Sequence, residues 1–310
     1  MHKGKTIVKK GKYKIIDCKV CGVKHLYPLP TSEYLSEFYQ KKYYNLIKKG
    51  DRAPEIRKQI AGGGEEAEAE LYWLRHTLYE DIRYVLERYL YKGKKYLLDI
   101  GCGCGNFMKY MKNVNWKAIG VELSQKCGRI IKESGLVIYN MTLEKFITTH
   151  SEYKFKFDAV TLLNVLEHIP KPVDFLKLTK MLLKPYTGIL CICVPNDFSK
   201  LQMYAAKKLN KNLWWVAIPD HVNYFDFKSL QKILVSLNFE ILYYTTDFPM
   251  EIFLLFGEDY VNNTKVGSIC HKKRINFELS IPDELRREIY HKLAEVGVGR
   301  SILIFGKRKD

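Results

Sequence analysis

Apolar positions in this chain gather into short, nearly continuous runs separated by amphipathic stretches. Tyr96–Ile100, Trp116–Leu123, Leu136–Met141, Phe157–Asn164 and Gly188–Asn196 each read as a strand, and Phe239–Thr246 as a sixth. The run Phe157–Asn164 shows almost no alternation, the pattern of a strand covered on both faces. Helical spacing recurs between the runs. Leu71, Leu74, Leu78, Ile82, Val85, Leu86 and Tyr89 predict one long helix over Ala67–Tyr91, and Phe227 starts another that ends near Asn238. Strands alternating with helices specify an open, mainly parallel α/β sheet. Beyond Thr246 the pattern turns irregular until a helix at Tyr290–Val296 and an apolar closing strand at Ser301–Lys307. Ahead of the sheet, Tyr13–Asp17 is a strand-like run. Pro28, Pro30 and Thr31-Ser32-Glu33 lead into a helix over Tyr34–Tyr44, with a Ser or Thr at its cap. Ala61–Glu66 holds three consecutive glycines and is the clearest flexible segment. The pattern therefore divides the chain into a module and helix at 1–50, a helical linker and cap at 51–95, and a sheet domain at 96–310 with an insertion at about 247–299.

The first strand of that domain carries the chemistry. It breaks into Gly101-Cys102-Gly103-Cys104-Gly105, with Asp99 two residues before the first glycine. Each missing Cβ lets the backbone turn sharply and a ligand lie against bare peptide. A dinucleotide fingerprint would read G-x-G-x-x-G, but the third glycine comes one place early and Asn106 stands in its position. No lysine follows in Walker spacing. A carboxylate at the mouth of the turn repels a pyrophosphate and suits a cationic amine. Glu122, at the end of the second strand, lies about 20 residues past the turn, where a ribose-binding acid is expected.

This D-x-G-x-G-x-G pattern resembles motif I of the class I S-adenosylmethionine-dependent methyltransferases. Leu166-Glu167-His168 resembles the segment that follows strand four in that family. The resemblance implies a Rossmann-like α/β fold with a seven-stranded, mainly parallel sheet whose last strand is antiparallel. It implies S-adenosylmethionine held by Asp99, Gly101, Cys102, Gly103, Glu122 and Leu123, with Thr142 and Leu143 beside the adenine and Asn164 after the fourth strand. A short Cys-x-x-Cys module joined to such a core is similar to a bacterial branch from surface-polysaccharide and sugar-modification clusters. A small-molecule acceptor, a sugar hydroxyl first among them, is the expected substrate, and the Tyr-rich helix after Tyr34 is expected to act as a lid. Methyl transfer to a hydroxyl needs a base. His221, on the rim after the fifth strand, is the first candidate and His168 the second, with Tyr224 and Trp215 shaping the acceptor pocket. Rival readings are RNA or protein methylation, carbon methylation of a keto-sugar, and a non-catalytic cofactor-binding partner. Asn164-Val165-Leu166-Glu167 lacks the N/D-P-P-Y/F form of enzymes that methylate base amino groups, and no cofactor residue of the turn is missing.

Composition adds three points. The chain has 310 residues and a net charge of +17. The first 50 residues hold twelve lysines against Asp17, Glu33 and Glu37, which permits a nucleic-acid partner without favouring one. There is no arginine cluster or aromatic series beside the lysines. Eight cysteines in 310 residues form no disulfide framework, and the basic start leads into no apolar h-region, so a cytoplasmic chain without a membrane span is expected. Cys18 and Cys21, in a Cys-x-x-Cys-Gly turn, have the spacing of two zinc ligands. His25 is a candidate third, and His2, or Cys270 with His271, a candidate to complete the set. The other reading of the turn is a pair of buried thiols. Nothing in the pattern specifies an oligomeric state.

Overall fold

The computed structural model describes residues 2–31, 34, 64–93, 95–124 and 135–310. The lid helix beyond Tyr34 and the first glycines of the 61–66 segment lie outside the described residues. The protein has the Rossmann-like α/β fold: a seven-stranded, mostly parallel sheet accompanied by an N-terminal module. It divides into two compact units. One comprises Thr31–Leu163, Val173–Cys191 and Lys307–Asp310, the other Met1–Pro30, Asn164–Pro172 and Ile192–Gly306.

The first of these units holds the glycine turn. Its helices are α1 (Glu65–His76), α2 (Leu78–Tyr89), α3 (Asn106–Asn113), α4 (Leu143–Thr149) and most of α5 (Pro172–Lys180). Strands β4 (Lys95–Ile100), β5 (Trp116–Val121), β6 (Val137–Tyr139) and β7 (Ala159–Leu163) run parallel in the order β7-β4-β5-β6. Leu98 of β4 pairs with Ile119 on one side and Val160 on the other. All three are fully or almost fully buried, as the unbroken apolar runs require. The single helix expected over 67–91 is instead two. Thr77 breaks it at φ −124°, and its hydroxyl donates to the Trp73 carbonyl at 2.8 Å. That carbonyl would otherwise accept the Thr77 amide, a local competition available to threonine and invisible to apolar spacing.

The second unit contains the N-terminal meander and the chain after β8 (Ile189–Pro195), the strand that it shares with the first. β1 (Gly4–Lys10), β2 (Tyr13–Cys18), β3 (Lys24–Tyr27) and β9 (Asn223–Tyr224) form an antiparallel sheet in that order. Three of its strands, β1, β3 and β9, escaped the pattern. β1 is lysine-rich and mostly exposed, an edge strand protected by charge. β9 comes from two hundred residues downstream, pairing Asn223 with His25 and Tyr224 with Lys24. Ile15, Leu26 and Tyr224 form the core of this sheet. Helices α6 (Lys200–Lys208) and α7 (Phe227–Ser236) and strand β10 (Phe239–Thr245) follow. β11 (Ser301–Arg308) lies between β10 and β8. Asn196 N–H bonds to Arg300 O and Arg308 N–H to Gly188 O, so β11 runs antiparallel to β8.

The segment expected to be irregular between Thr246 and the helix at Tyr290–Val296 is in fact helical: α8 (Glu251–Leu255) and α9 (Thr264–Ser280) precede α10 (Asp283–Glu295), which contains most of the expected helix. The buried face of α9 is Cys270, Arg274 and Glu278, so helical periodicity is present but polar. Arg274 reaches Asp247 at 3.1 Å and Glu278 at 3.2 Å, and Arg286 reaches the Glu278 carbonyl at 3.3 Å. Pattern analysis of apolar positions has no means of seeing such a stripe.

Candidate functional site

The glycine turn is built by backbone. Gly101, Gly103 and Gly105 all have left-handed φ values of 72°, 53° and 74°. Only glycine adopts three such conformations in five residues without steric cost. Gly101 N–H bonds to Val121 O at 2.7 Å, and Gly105 leads into α3. Gly120 serves a different purpose. A Cβ there would lie 2.5 Å from Cys102 Sγ and 2.7 Å from Met108 Sδ, so its bareness lets α3 and the buried Cys102 close down on β5.

Two carboxylates face this turn. Asp99 is 2% exposed and accepts a 2.6 Å hydrogen bond from Thr161. Burial pushes its carboxyl up to about 7, the Thr161 bond works against that, and the charge of Glu122 adds to it. Glu122 is also raised by burial, against three backbone amides. Its carboxylate accepts from Gly103 N–H at 3.0 Å and Ser124 N–H at 2.7 Å, stitching the turn to the loop after β5. A site with two raised carboxylates and exposed turn backbone is fitted to a cationic ligand bearing hydroxyl groups. Leu123 is half-buried beside Glu122. Asn140 donates to the Glu122 carbonyl at 3.2 Å, which brings the Thr142 loop to the same place. Thr142 itself caps α4 by accepting from Lys145 N–H, and the Leu143 side chain is buried in the core.

The candidate catalytic residues lie in the other unit. Asn164, exposed and at φ 56°, follows β7, and its N–H donates to Cys193 O at 2.8 Å. A one-turn helix then presents Glu167 and His168. The segment is laced to the His221 loop by Val222 N–H to Glu167 O at 2.8 Å and by Asn223 to Ile169 O at 2.7 Å. The His168 and His221 rings are therefore 5.2 Å apart, centroid to centroid. Asp220 lies 3.4 Å from His168 Nδ1, and Asp197 lies 3.5 Å from His221 Nδ1. Burial raises the Glu167 carboxyl to about 7, His168 opposes this, and Asp197 and Asp220 reinforce it. Tyr224 is 6.1 Å from His221 but is buried in the meander core, and Phe198 packs edge-on against both Tyr224 and Trp215.

A family model described as a methyltransferase domain matches residues 74–244, more than half of the chain. The chain belongs to this methyltransferase family. Residues 74–244 thus form a class I S-adenosylmethionine-dependent methyltransferase domain. Among curated proteins it is 32% identical over 118 residues to an ubiquinone biosynthesis O-methyltransferase of Actinobacillus pleuropneumoniae serotype 7, covering 36% of this chain and 50% of that one. A protein of the same name from Azoarcus sp. is 26% identical over 193 residues, covering 60% and 76%. The chain spans about half the length of the first curated relatives it matches. A solved S-adenosylmethionine-dependent methyltransferase from Archaeoglobus fulgidus shares the fold at TM-score 0.51 and 17% identity, covering 86% of this chain and all of that one.

The chain also gathers the Cys-x-x-Cys turn into a larger group. His2, Cys18, Cys21 and His25 each place a ligand atom within 4.8 Å of the others. Cys18 N–H bonds to Val23 O and Gly22 N–H to Cys18 O, closing the turn. His25 Nδ1 donates to Leu26 O at 2.7 Å, which leaves Nε2 facing His2 Nδ1 at 3.1 Å. Burial acts to raise the Cys18 thiol, but hydrogen bonds from the Cys21 backbone, His2 and His25 outweigh it and bring it down to about 5. That is the thiolate state a metal ligand requires. Cys270, the other candidate completion, is engaged elsewhere: its thiol lies 3.3 Å from Glu258 in the α9 cluster. No helix among the described residues is long and apolar enough to cross a membrane.

Several site residues escaped sequence reasoning. Thr161 read only as a strand position, and its role follows from lateral pairing with Asp99. Asp197 had a usable signal, an acid directly after the fifth strand. Glu167 lay inside the quoted segment without a role of its own.

Proposed function

We propose that the protein is an S-adenosylmethionine-dependent O-methyltransferase acting on a hydroxyl of a small-molecule acceptor, with a sugar as the first class to test. The observation that carries this reading is the pairing of each histidine with a carboxylate, His221 with Asp197 and His168 with Asp220. A hydroxyl acceptor needs a group to take its proton, whereas an already nucleophilic amine does not. The name shared by the curated relatives supports oxygen over nitrogen or carbon as the acceptor atom.

When bound, S-adenosylmethionine supplies a methyl group already activated by a sulfonium. The remaining work is alignment and proton removal. Asp99 neutralises the cofactor's ammonium group, Glu122 accepts from the ribose hydroxyls with the lone pairs its amide partners leave, and Gly101 and Gly103 give the ligand room. Cys102, Leu123, Thr142 and Leu143 complete the proposed cofactor surface of this unit, Leu143 through its backbone because its side chain is turned inward. His221 takes the hydroxyl proton as the oxygen gains the methyl, and Asp197 steadies the imidazolium that results. His168 is the second candidate for that proton, and Tyr224 backs the His221 ring.

We also propose that Cys18, Cys21, His25 and His2 hold a structural zinc. A four-stranded sheet whose edge is mostly lysine has little core of its own, and a closed Cys₂His₂ set supplies folding free energy directly.

Turnover on a panel of nucleotide sugars, polysaccharide fragments, phenolic acceptors and RNA, with labelled cofactor, tests the reading. His221→Ala should lower turnover by about 10²–10⁴ with cofactor affinity unchanged, and His168→Ala by less. Wild-type turnover by His221→Ala would remove it as the base. Transfer to RNA alone would overturn the small-molecule assignment.

A further inference from the structure

The proton placements around His168 and His221 leave acceptors facing acceptors. A carbonyl oxygen can only accept, so the 3.0 Å contact between His168 Nδ1 and Asp220 O makes Nδ1 the donor. In the neutral ring Nε2 then carries a lone pair, and it faces the Glu167 carboxylate at 3.7 Å. His221 Nδ1 lies 3.5 Å from Asp197 Oδ2, and both atoms are buried without a hydrogen-bond partner. The neutral ring of His221 brings a second imidazole lone pair to the cluster. Glu167 is 2% exposed, and its Oε2 is buried without a hydrogen-bond partner. One ligand atom from each of Glu167, His168 and His221 lies within 4.8 Å of the others. Three carboxylates surround two imidazoles in this cluster, and the arrangement calls for positive charge at its centre.

We propose that Glu167, His168 and His221 bind a divalent first-row metal ion, with Asp220 and Asp197 holding the two imidazoles in register. A carboxylate or carbonyl behind each ligating histidine is what fixes the tautomer and direction of such a ligand. Two histidines and one carboxylate occupy one side of an ion and leave other positions open to solvent or to a substrate oxygen. This donor set, without sulfur, accepts manganese, whereas the thiolates of Cys18 and Cys21 favour zinc. The role of the ion rests on the methyl transfer to a hydroxyl proposed above: an acceptor hydroxyl at an open position would have its pKa lowered by the metal and would release its proton to solvent, the ion taking over from His221 the task of activating the oxygen.

The test is manganese titration of the intact chain, followed by loss of the free-ion electron paramagnetic resonance signal. The wild type should bind one ion per chain. Glu167→Gln and His221→Gln should each raise the Kd at least tenfold, Asp197→Asn should raise it less, and His76→Gln, at an exposed position of α1, should leave it unchanged. Circular dichroism and cofactor affinity identify any variant that has lost its fold. In that case, manganese broadening of the His168 and His221 ring resonances in the wild type gives the same information without a substitution. No binding up to millimolar manganese, or wild-type binding by both Glu167→Gln and His221→Gln, would overturn the site. The readout involves neither acceptor nor methyl transfer. A chain that binds the ion and methylates nothing would therefore refute the functional reading and leave the site standing.

Discussion

Replacing Asp99 by asparagine should make the cofactor-free protein more stable and bind its cofactor less well. The side chain is 2% exposed, and its oxygen accepts from Thr161, a bond that the asparagine carbonyl keeps. In the folded chain burial holds the carboxyl up to about 7, from an ordinary value of 3.8. The folded state therefore retains its proton to about pH 7, while the unfolded chain releases it near pH 4. This group's contribution to stability is greatest below pH 4, falls as pH rises through that interval, and is flat above it. At ~1.4 kcal/mol per pH, the interval corresponds to about 4 kcal/mol at most. The Asp99→Asn protein has no such slope. The stability difference between the two proteins should grow from near zero at pH 4 to its full value at pH 8, and titrating groups other than Glu122, whose charge acts on Asp99, cancel in the difference. Urea unfolding of both proteins at pH 5, 6, 7 and 8 measures it. Calorimetry should show the opposite sign for cofactor binding. The loss of a charged hydrogen-bond partner costs about 1.5–3 kcal/mol, and wild-type affinity should weaken below pH 7 whereas that of the variant should not. An Asp99→Asn protein no more stable than wild type at pH 8 would refute the buried-charge argument. An unchanged affinity would refute the ammonium assignment.

Three further outcomes follow from the same geometry. Glu122→Ala should weaken cofactor binding by roughly 1–3 kcal/mol, because it removes the ribose partner and the acceptor of Gly103 N–H together; calorimetry on the variant measures it. Gly120→Ala should cost about 1–3 kcal/mol of stability, since the added methyl meets Cys102 and Met108; unchanged denaturant midpoints would show that α3 yields freely. Chelation of zinc-loaded protein should lower the melting temperature, and Cys18→Ser should abolish both the metal and the shift; untagged protein with near-zero zinc by mass spectrometry would return Cys18 and Cys21 to the role of buried thiols.

What was legible in the sequence was whatever depends on neighbours along the chain. The strands at 96–100, 116–121 and 301–308, the three-glycine turn with its preceding acid, and the Cys-x-x-Cys turn are local signals. Strand burial, positive φ and ligand spacing each act within a few residues. The tertiary structure decided what depends on lateral contact. Thr161 meets Asp99 only because β7 lies beside β4. His2 and His25 join Cys18 through the register of β1, β2 and β3. Glu167, His168, Asp197 and Asp220, around His221, come from two loops and a strand end spread over more than fifty positions. Helix α9 was missed because its buried stripe includes Arg274 and Glu278, stabilised by pairing with each other and with Asp247 rather than by leaving water. Periodicity reports burial only when the buried residues are apolar. For Asp99 and Arg274 a partner that makes burial tolerable, Thr161 and Asp247 respectively, is distant in sequence, and only the folded chain brings it near.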